Sequence, residues 1–82
     1  MQAEFVHDLC GRAVITQSGT KLGSLKDISI DVDSGRVVQY AVKHGLLGGA
    51  ELLVAPEEVI EIRFDAIIVK DTLVRAGNVV VA

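Results

Sequence analysis

The sequence predicts a single, small all-β domain built from six short strands. Three observations lead to this prediction. Apolar runs alternate with turn residues at intervals of about eight to twelve positions, which is typical of a small barrel or sandwich. Half of the residues are apolar, and most of these are Val, Ile, Leu and Ala, of which Val and Ile favour strands. No segment longer than about ten residues has the period of an amphipathic helix, which argues against a fold of alternating strands and helices.

Three strand candidates lie in the first half of the chain. The run Arg12 to Thr16 comes first, and the runs Leu22 to Val32 and Arg36 to His44 follow it. A turn containing Gly19 separates the first two, and a turn containing Gly35 separates the second from the third. Glycine favours such turns because it adopts positive φ at little cost.

The second of these runs changes phase along its length. Ile28, Ile30 and Val32 share one face by alternation, but Leu25 does not belong to that set. A bulge or bend near Lys26 would reconcile the two halves, and strongly bent strands are typical of small barrels.

Three further strand candidates complete the six. They are Glu51 to Val54, Val59 to Phe64 and Ile67 to Lys70. The glycine-rich segment 45–50 before them is predicted to be a loop, and Pro56 is placed to begin a turn or a single helical turn. We therefore divide the chain into an N-terminal lead-in at 1–10, a barrel domain at 11–71 and a strand-like C-terminal extension at 72–82.

Side chains that share a face within each strand predict the core, because successive residues of a strand point to opposite sides. We expect the interior to be filled by Val14, Ile28, Ile30, Val38, Tyr40, Val42, Ile60, Ile62 and Ile68.

Charge and hydropathy exclude several classes of protein. The net charge is −3 and the basic residues are scattered singly, so nucleic-acid binding is not expected. The longest apolar runs are too short to span a bilayer. The segment Met1 to Leu9 carries Glu4 and Asp8 and no basic residue, unlike a signal peptide. We expect a cytoplasmic protein.

We expect no catalytic, cofactor or metal site. His7, Cys10 and His44 are three scattered candidate ligands, whereas a structural zinc site wants four. A calcium loop beginning at Asp31 would need a carboxylate at its last position, which is Val42. No serine or cysteine has a recognisable base, and the glycine-rich segment lacks the Lys-Ser/Thr of a phosphate loop.

Several short motifs follow one another in a definite order. An apolar strand follows Gly11, a turn contains Gly19, and the second strand carries Gly23 and ends in the Asp-Ser-Gly-Arg turn at 33–36. A later apolar strand ends at Pro56. This series resembles the PRC-barrel family. The resemblance implies a compact six-stranded β-barrel, related to the cytoplasmic domain of the reaction centre H subunit and to the C-terminal domain of the ribosome maturation factor.

The resemblance also implies a function, because the family theme is docking to other macromolecules without a common set of catalytic residues. We expect a non-catalytic protein-binding or assembly module, an adaptor that works as a homodimer. The alternatives are an accessory factor associated with the ribosome or with RNA processing, and a barrel that binds a small molecule or a metal.

Two segments are candidate partner contacts. Leu46 and Leu47 are adjacent leucines in the glycine-rich loop, and Val79, Val80 and Val81 form an apolar run in the C-terminal extension. A bare strand of valines is prone to pair with another strand. We expect this tail to take part in the dimer interface. The alternative is that it folds back onto its own barrel.

Overall fold

The computed structural model describes residues 2–44, 50–72 and 79–81. Within them the predicted six strands between Arg12 and Lys70 are confirmed, and a seventh lies in the C-terminal extension. In chain order the elements are α1 (Val6–Leu9), β1 (Ala13–Thr16), β2 (Lys21–Ile30), β3 (Val37–His44), β4 (Ala50–Val54), a 3₁₀ helix (Pro56–Glu58), β5 (Val59–Ile62), β6 (Ala66–Val69) and β7 (Val79–Val81).

All seven strands belong to one sheet in the order β5-β6-β1-β2-β3-β4-β7. The pairing of β1 with β6 is parallel, and every other pairing is antiparallel. The mostly β class is therefore confirmed. Among the residues described, β5 and β7 are the two ends of the sheet and no ladder joins them, so closure into a barrel stays a prediction.

The predicted bulge near Lys26 is confirmed. Leu25 is the partner of Val42 and Asp27 is the partner of Ala41, so Lys26 is an extra residue on β2. An extra residue on one strand bends it and changes which side chains face inward. Leu25 is buried and Ile28 packs against the core as a result, although three positions separate them.

Gly23 allows β2 and β3 to approach closely. Its φ is +156°, and a Cβ built on it would collide with the carbonyl oxygen of Lys43 on β3. Beside this contact, the Nδ1 atom of His44 lies 2.5 Å from the carbonyl oxygen of Leu22 and donates a hydrogen bond to it. The end of β3 is thus fixed to β2 by both backbone and side chain.

The core differs in part from the one predicted. Val14 and Val42 are buried as expected, and Ile28 and Tyr40 pack against the core while partly buried. The remaining buried apolar side chains of the described residues are Leu9, Leu22, Leu25, Leu52, Val54, Ala66, Ile67 and Val69.

The prediction was wrong for Ile30, Val38, Ile60 and Ile62, which are all exposed. Strand β4 pairs with β3 only from Tyr40 to His44, so no strand in the described part of the chain covers β3 in the outer part of the β2–β3 hairpin. A second register slip, between Ser29 and Ile30, lies in that outer part.

A similar register slip explains why the predicted burial of Ile60 on β5 was wrong. The register slips between Val59 and Glu61, which makes Ile60 an extra residue. On β6 the prediction named Ile68, whereas Ile67 and Val69 are the buried residues. Three consecutive apolar residues have no alternation, so the sequence could not show which of them faces inward.

Candidate interaction surface

Large apolar side chains are exposed on the described part of the molecule. Both phenylalanines of the chain are among them: Phe5 is 81% exposed and Phe64 is 89% exposed. The other six are Val6, Ile30, Val32, Val38, Ile60 and Ile62. Single exposed apolar residues are common, but two aromatic side chains that bury almost nothing are not.

Arg12 brings the two phenylalanines to the same end of the molecule. Its Nη2 and Nη1 atoms donate to the two carboxylate oxygens of Glu4, at 2.8 and 3.1 Å. Nη1 also donates to the carbonyl oxygen of Arg63, at 2.7 Å. Glu4 and Arg63 are the chain neighbours of Phe5 and Phe64, so one guanidinium ties both segments together.

This ion pair shifts the pKa values of Glu4 and Arg12 in opposite directions. Hydrogen bonding to the guanidinium lowers the pKa of Glu4, against a weaker opposing effect of desolvation. The same hydrogen bond raises the pKa of Arg12. Both groups are therefore charged at neutral pH, and the bidentate geometry fixes the direction in which the N-terminal segment leaves α1.

A shallow depression lies next to the Arg12 ion pair. Leu9 and Ile62 supply its apolar part, and Gln2, Ala3 and Glu4 complete its lining. Leu9 is the residue of α1 that enters the core, whereas Ile62 is the last residue of β5. The depression thus joins the N-terminal segment to the edge of the sheet, and the two exposed phenylalanines belong to the segments beside it.

Within the described ranges, no strand pairs with the outer edge of β5, which lies beside this depression. Strand β5 is hydrogen-bonded to β6 on one side and ends the sheet on the other. The Arg63 N–H donates to the Ala66 carbonyl at 2.8 Å, and Ile62 is the partner of Ile67. Because hydrogen-bonding groups alternate in direction along an antiparallel strand, the N–H and C=O of Ile62 point to the free edge.

The interior offers no polar binding site among the residues described. The small void there is lined by Val14, Leu25, Tyr40, Val42, Val54, Val59, Ile67 and Val69. Tyr40 carries the one polar atom among these side chains. Such a lining is that of a packed core.

The predicted partner contacts can be placed only in part. Leu46 and Leu47 lie outside the described residues. The residues Val79, Val80 and Val81 form β7, whose backbone pairs with β4 of the same chain, with Val79 opposite Leu52. This is the alternative arrangement that the sequence left open, in which the tail folds back onto its own sheet.

The candidate metal ligands do not come together. His7 and Cys10 are exposed at α1, whereas His44 is at the end of β3. In residues 2–44, 50–72 and 79–81 there is no group of three or more His, Cys, Asp or Glu side chains that could hold a metal ion. The Asp31 carboxylate accepts a hydrogen bond from the Asp33 N–H at 2.8 Å, which is a turn-forming contact.

Sequence reasoning missed Arg12, Phe5 and Phe64. Arg12 was counted only as one of the scattered basic residues, and no local pattern pairs it with Glu4. Phe5 offered a weak signal, because it lies in the lead-in and outside every predicted strand. Phe64 offered none, because it ends the predicted strand Val59 to Phe64 and shares a face with Ile60 and Ile62 by alternation.

The fold is that of a small, mostly β domain. Comparison with family models gives a match to the PRC-barrel domain over residues 1–80 of the 82-residue chain. The chain belongs to the PRC-barrel domain family. A search of curated proteins finds no significant match. No helix in the described ranges is long and apolar enough to cross a membrane.

Proposed function

We propose that this protein is a non-catalytic protein-binding and assembly module that acts as a homodimer. The observation that carries the proposal is the exposure of both phenylalanines at one end of the molecule, beside a free strand edge. Aromatic side chains in the middle of an interface supply much of its binding energy, because they bury a large area at a low cost in conformational entropy.

The size of the domain supports association. A domain of this length buries a smaller fraction of its surface than a larger one does, so its core supplies limited stability. Each phenylalanine can bury about 150–250 Å². Two from each copy would supply on the order of 600–1,000 Å² of the 1,200–2,000 Å² that a stable interface buries.

Light scattering on the full chain tests the proposal. At tens of micromolar we expect a mass twice the 8.7 kDa of one chain. Phe64→Ser should weaken the dimer by tenfold or more, since a central aromatic contact contributes about 2 kcal/mol. Val32→Ser is the matched control, because Val32 is also 89% exposed but lies at the β2–β3 turn. A monomeric wild-type chain at this concentration would show that the homodimer is wrong.

A further inference from the structure

We propose that β5 pairs antiparallel with β5 of a second copy, about a two-fold axis that passes through Ile62. The proposal rests on the proposed homodimer and names the contact that forms it. An unpaired edge strand presents a row of free N–H and C=O groups, which a second strand can satisfy. A two-fold axis makes the contact self-complementary and closes the assembly at two copies.

The direction of the backbone groups allows the axis to pass through Ile62. Arg63 turns its N–H toward β6, where it bonds to Ala66. Its neighbour Ile62 therefore turns its N–H and C=O outward. Two Ile62 residues opposite each other would exchange a pair of hydrogen bonds across the axis. An axis at Glu61 would also be compatible with an antiparallel ladder, as a non-hydrogen-bonded pair. It would place the two Glu61 carboxylates opposite each other, and like charges on facing residues destabilise the pairing.

Charge complementarity supports the same register. With Ile62 on the axis, Glu61 of each copy lies opposite Arg63 of the other. The two side chains already form an ion pair within one chain, with Nε 3.1 Å from Oε1, and both are about half exposed. Dimerisation would join two such pairs into a ring of four alternating charges. Opposite charges on facing residues stabilise an antiparallel pair, and like charges destabilise it.

The apolar side chains also match in this register. The two Ile62 side chains meet at the centre, and Ile60 and Phe64 lie toward the two ends of the pairing. All three residues are exposed in the single chain. Arg63 and Phe64 lie beyond the end of β5, but Arg63 keeps the antiparallel register through its hydrogen bond to Ala66. The pairing thus covers apolar surface on one face and couples charges on the other.

Charge reversal gives a test that a contact within one chain cannot imitate. Glu61→Arg places two basic side chains opposite each other at both ends of the pairing, and Arg63→Glu places two acidic ones there. Each variant alone should dimerise about tenfold or more weakly than the wild type. An equimolar mixture of the two variants should restore dimerisation to within about threefold of the wild type, because every facing pair is then of opposite charge. The ion pair inside each variant chain remains broken in the mixture, so rescue reports the contact between chains alone.

Amide hydrogen exchange of the wild-type chain provides an independent measurement. The Ile62 N–H should become more protected as the protein concentration rises through the dissociation constant. The Arg63 N–H, which bonds to Ala66 in a single copy, should be protected at every concentration. A circular dichroism spectrum of each variant at low concentration checks that it folds.

The outcomes separate the two proposals. If the wild type is dimeric but both single variants dimerise equally well, or if Ile62 exchange does not depend on concentration, the β5 contact is wrong and the homodimer stands. Assemblies larger than two copies would indicate head-to-tail pairing of β5 with β7 and would also overturn the contact. If the wild type is monomeric, the homodimer fails and this contact fails with it.

Discussion

At Gly23 the chain has room for a hydrogen atom and nothing larger. A methyl group at this position would meet the carbonyl oxygen of Lys43, an atom that cannot move without disturbing the β2–β3 ladder. We predict that Gly23→Ala lowers the free energy of unfolding by about 2–4 kcal/mol, combining the steric conflict with backbone strain. Urea denaturation monitored by circular dichroism measures this loss.

Gly35→Ala is the control for the conformational part of that loss. Gly35 also has a positive φ, +77°, but a Cβ there would meet no atom within 4 Å. Gly35→Ala should therefore lower the free energy of unfolding only by the strain of an alanine in the left-handed region, about 1–2 kcal/mol. Equal losses in the two variants would mean that the approach of β3 to Gly23 contributes nothing.

Leu25 and Ile30 lie on the same strand but differ in what they contribute to the core. Leu25 is 2% exposed, whereas Ile30 is 53% exposed on the outer part of the hairpin. We predict that Leu25→Ala lowers the free energy of unfolding by about 2–5 kcal/mol, because apolar burial is lost and a cavity remains. Ile30→Ala should cost less than about 1 kcal/mol, since much of its side chain is already in water. A larger shift of the urea midpoint for Ile30→Ala would reverse this assignment.

Among the elements, α1 depends most on contacts outside itself. It is four residues long and has no side-chain hydrogen bond at its N-cap. So short a helix is not stable alone. Leu9 anchors it in the core, and the Arg12–Glu4 pair holds the segment that precedes it. The N-terminal segment is therefore attached to the sheet by one buried side chain and one ion pair.

This attachment should depend on pH. The pKa of Glu4 is lower in the folded protein than its ordinary value of 4.5. The contribution of the Arg12–Glu4 ion pair to stability is therefore complete above pH 4.5. The contribution is lost as the pH falls through the lowered pKa, when the carboxylate takes up a proton. In an NMR titration, Arg12→Gln should raise the pKa of Glu4 toward 4.5. An unchanged Glu4 titration in the variant would show that the ion pair does not form in solution.

The individual turns, strands and bulges show what the sequence could predict. Turns at Gly19 and Gly35 and the Pro56 helical turn are local signals, and the strands between them were located within one or two residues. The bulge at Lys26 was predicted because Leu25 breaks an otherwise regular alternation. The orientation of Ile60 was not, because the slip on β5 depends on its pairing with β6, which no local pattern reveals.

At the scale of the whole molecule, the sheet has two ends with different neighbours. Strand β7 covers the side of β4 that would otherwise be free, whereas β5 ends the sheet beside the Arg12 ion pair. The sequence placed partner contacts at 46–47 and 79–81 because isolated apolar runs stand out there. It could not point to Phe5 and Phe64, which are far apart in the chain and whose neighbours Glu4 and Arg63 are bound by a single arginine.

The parallel pairing of β1 with β6 has a consequence for how the protein folds. Ala13 pairs with Ala66, so most of the chain lies between two strands that are neighbours in the interior of the sheet. The β2–β3 hairpin needs only local contacts and can form early. The β1–β6 ladder must wait for a long loop to close, which slows folding by its cost in chain entropy. During synthesis, β1 therefore emerges from the ribosome long before its partner and remains without it until β6 has emerged as well.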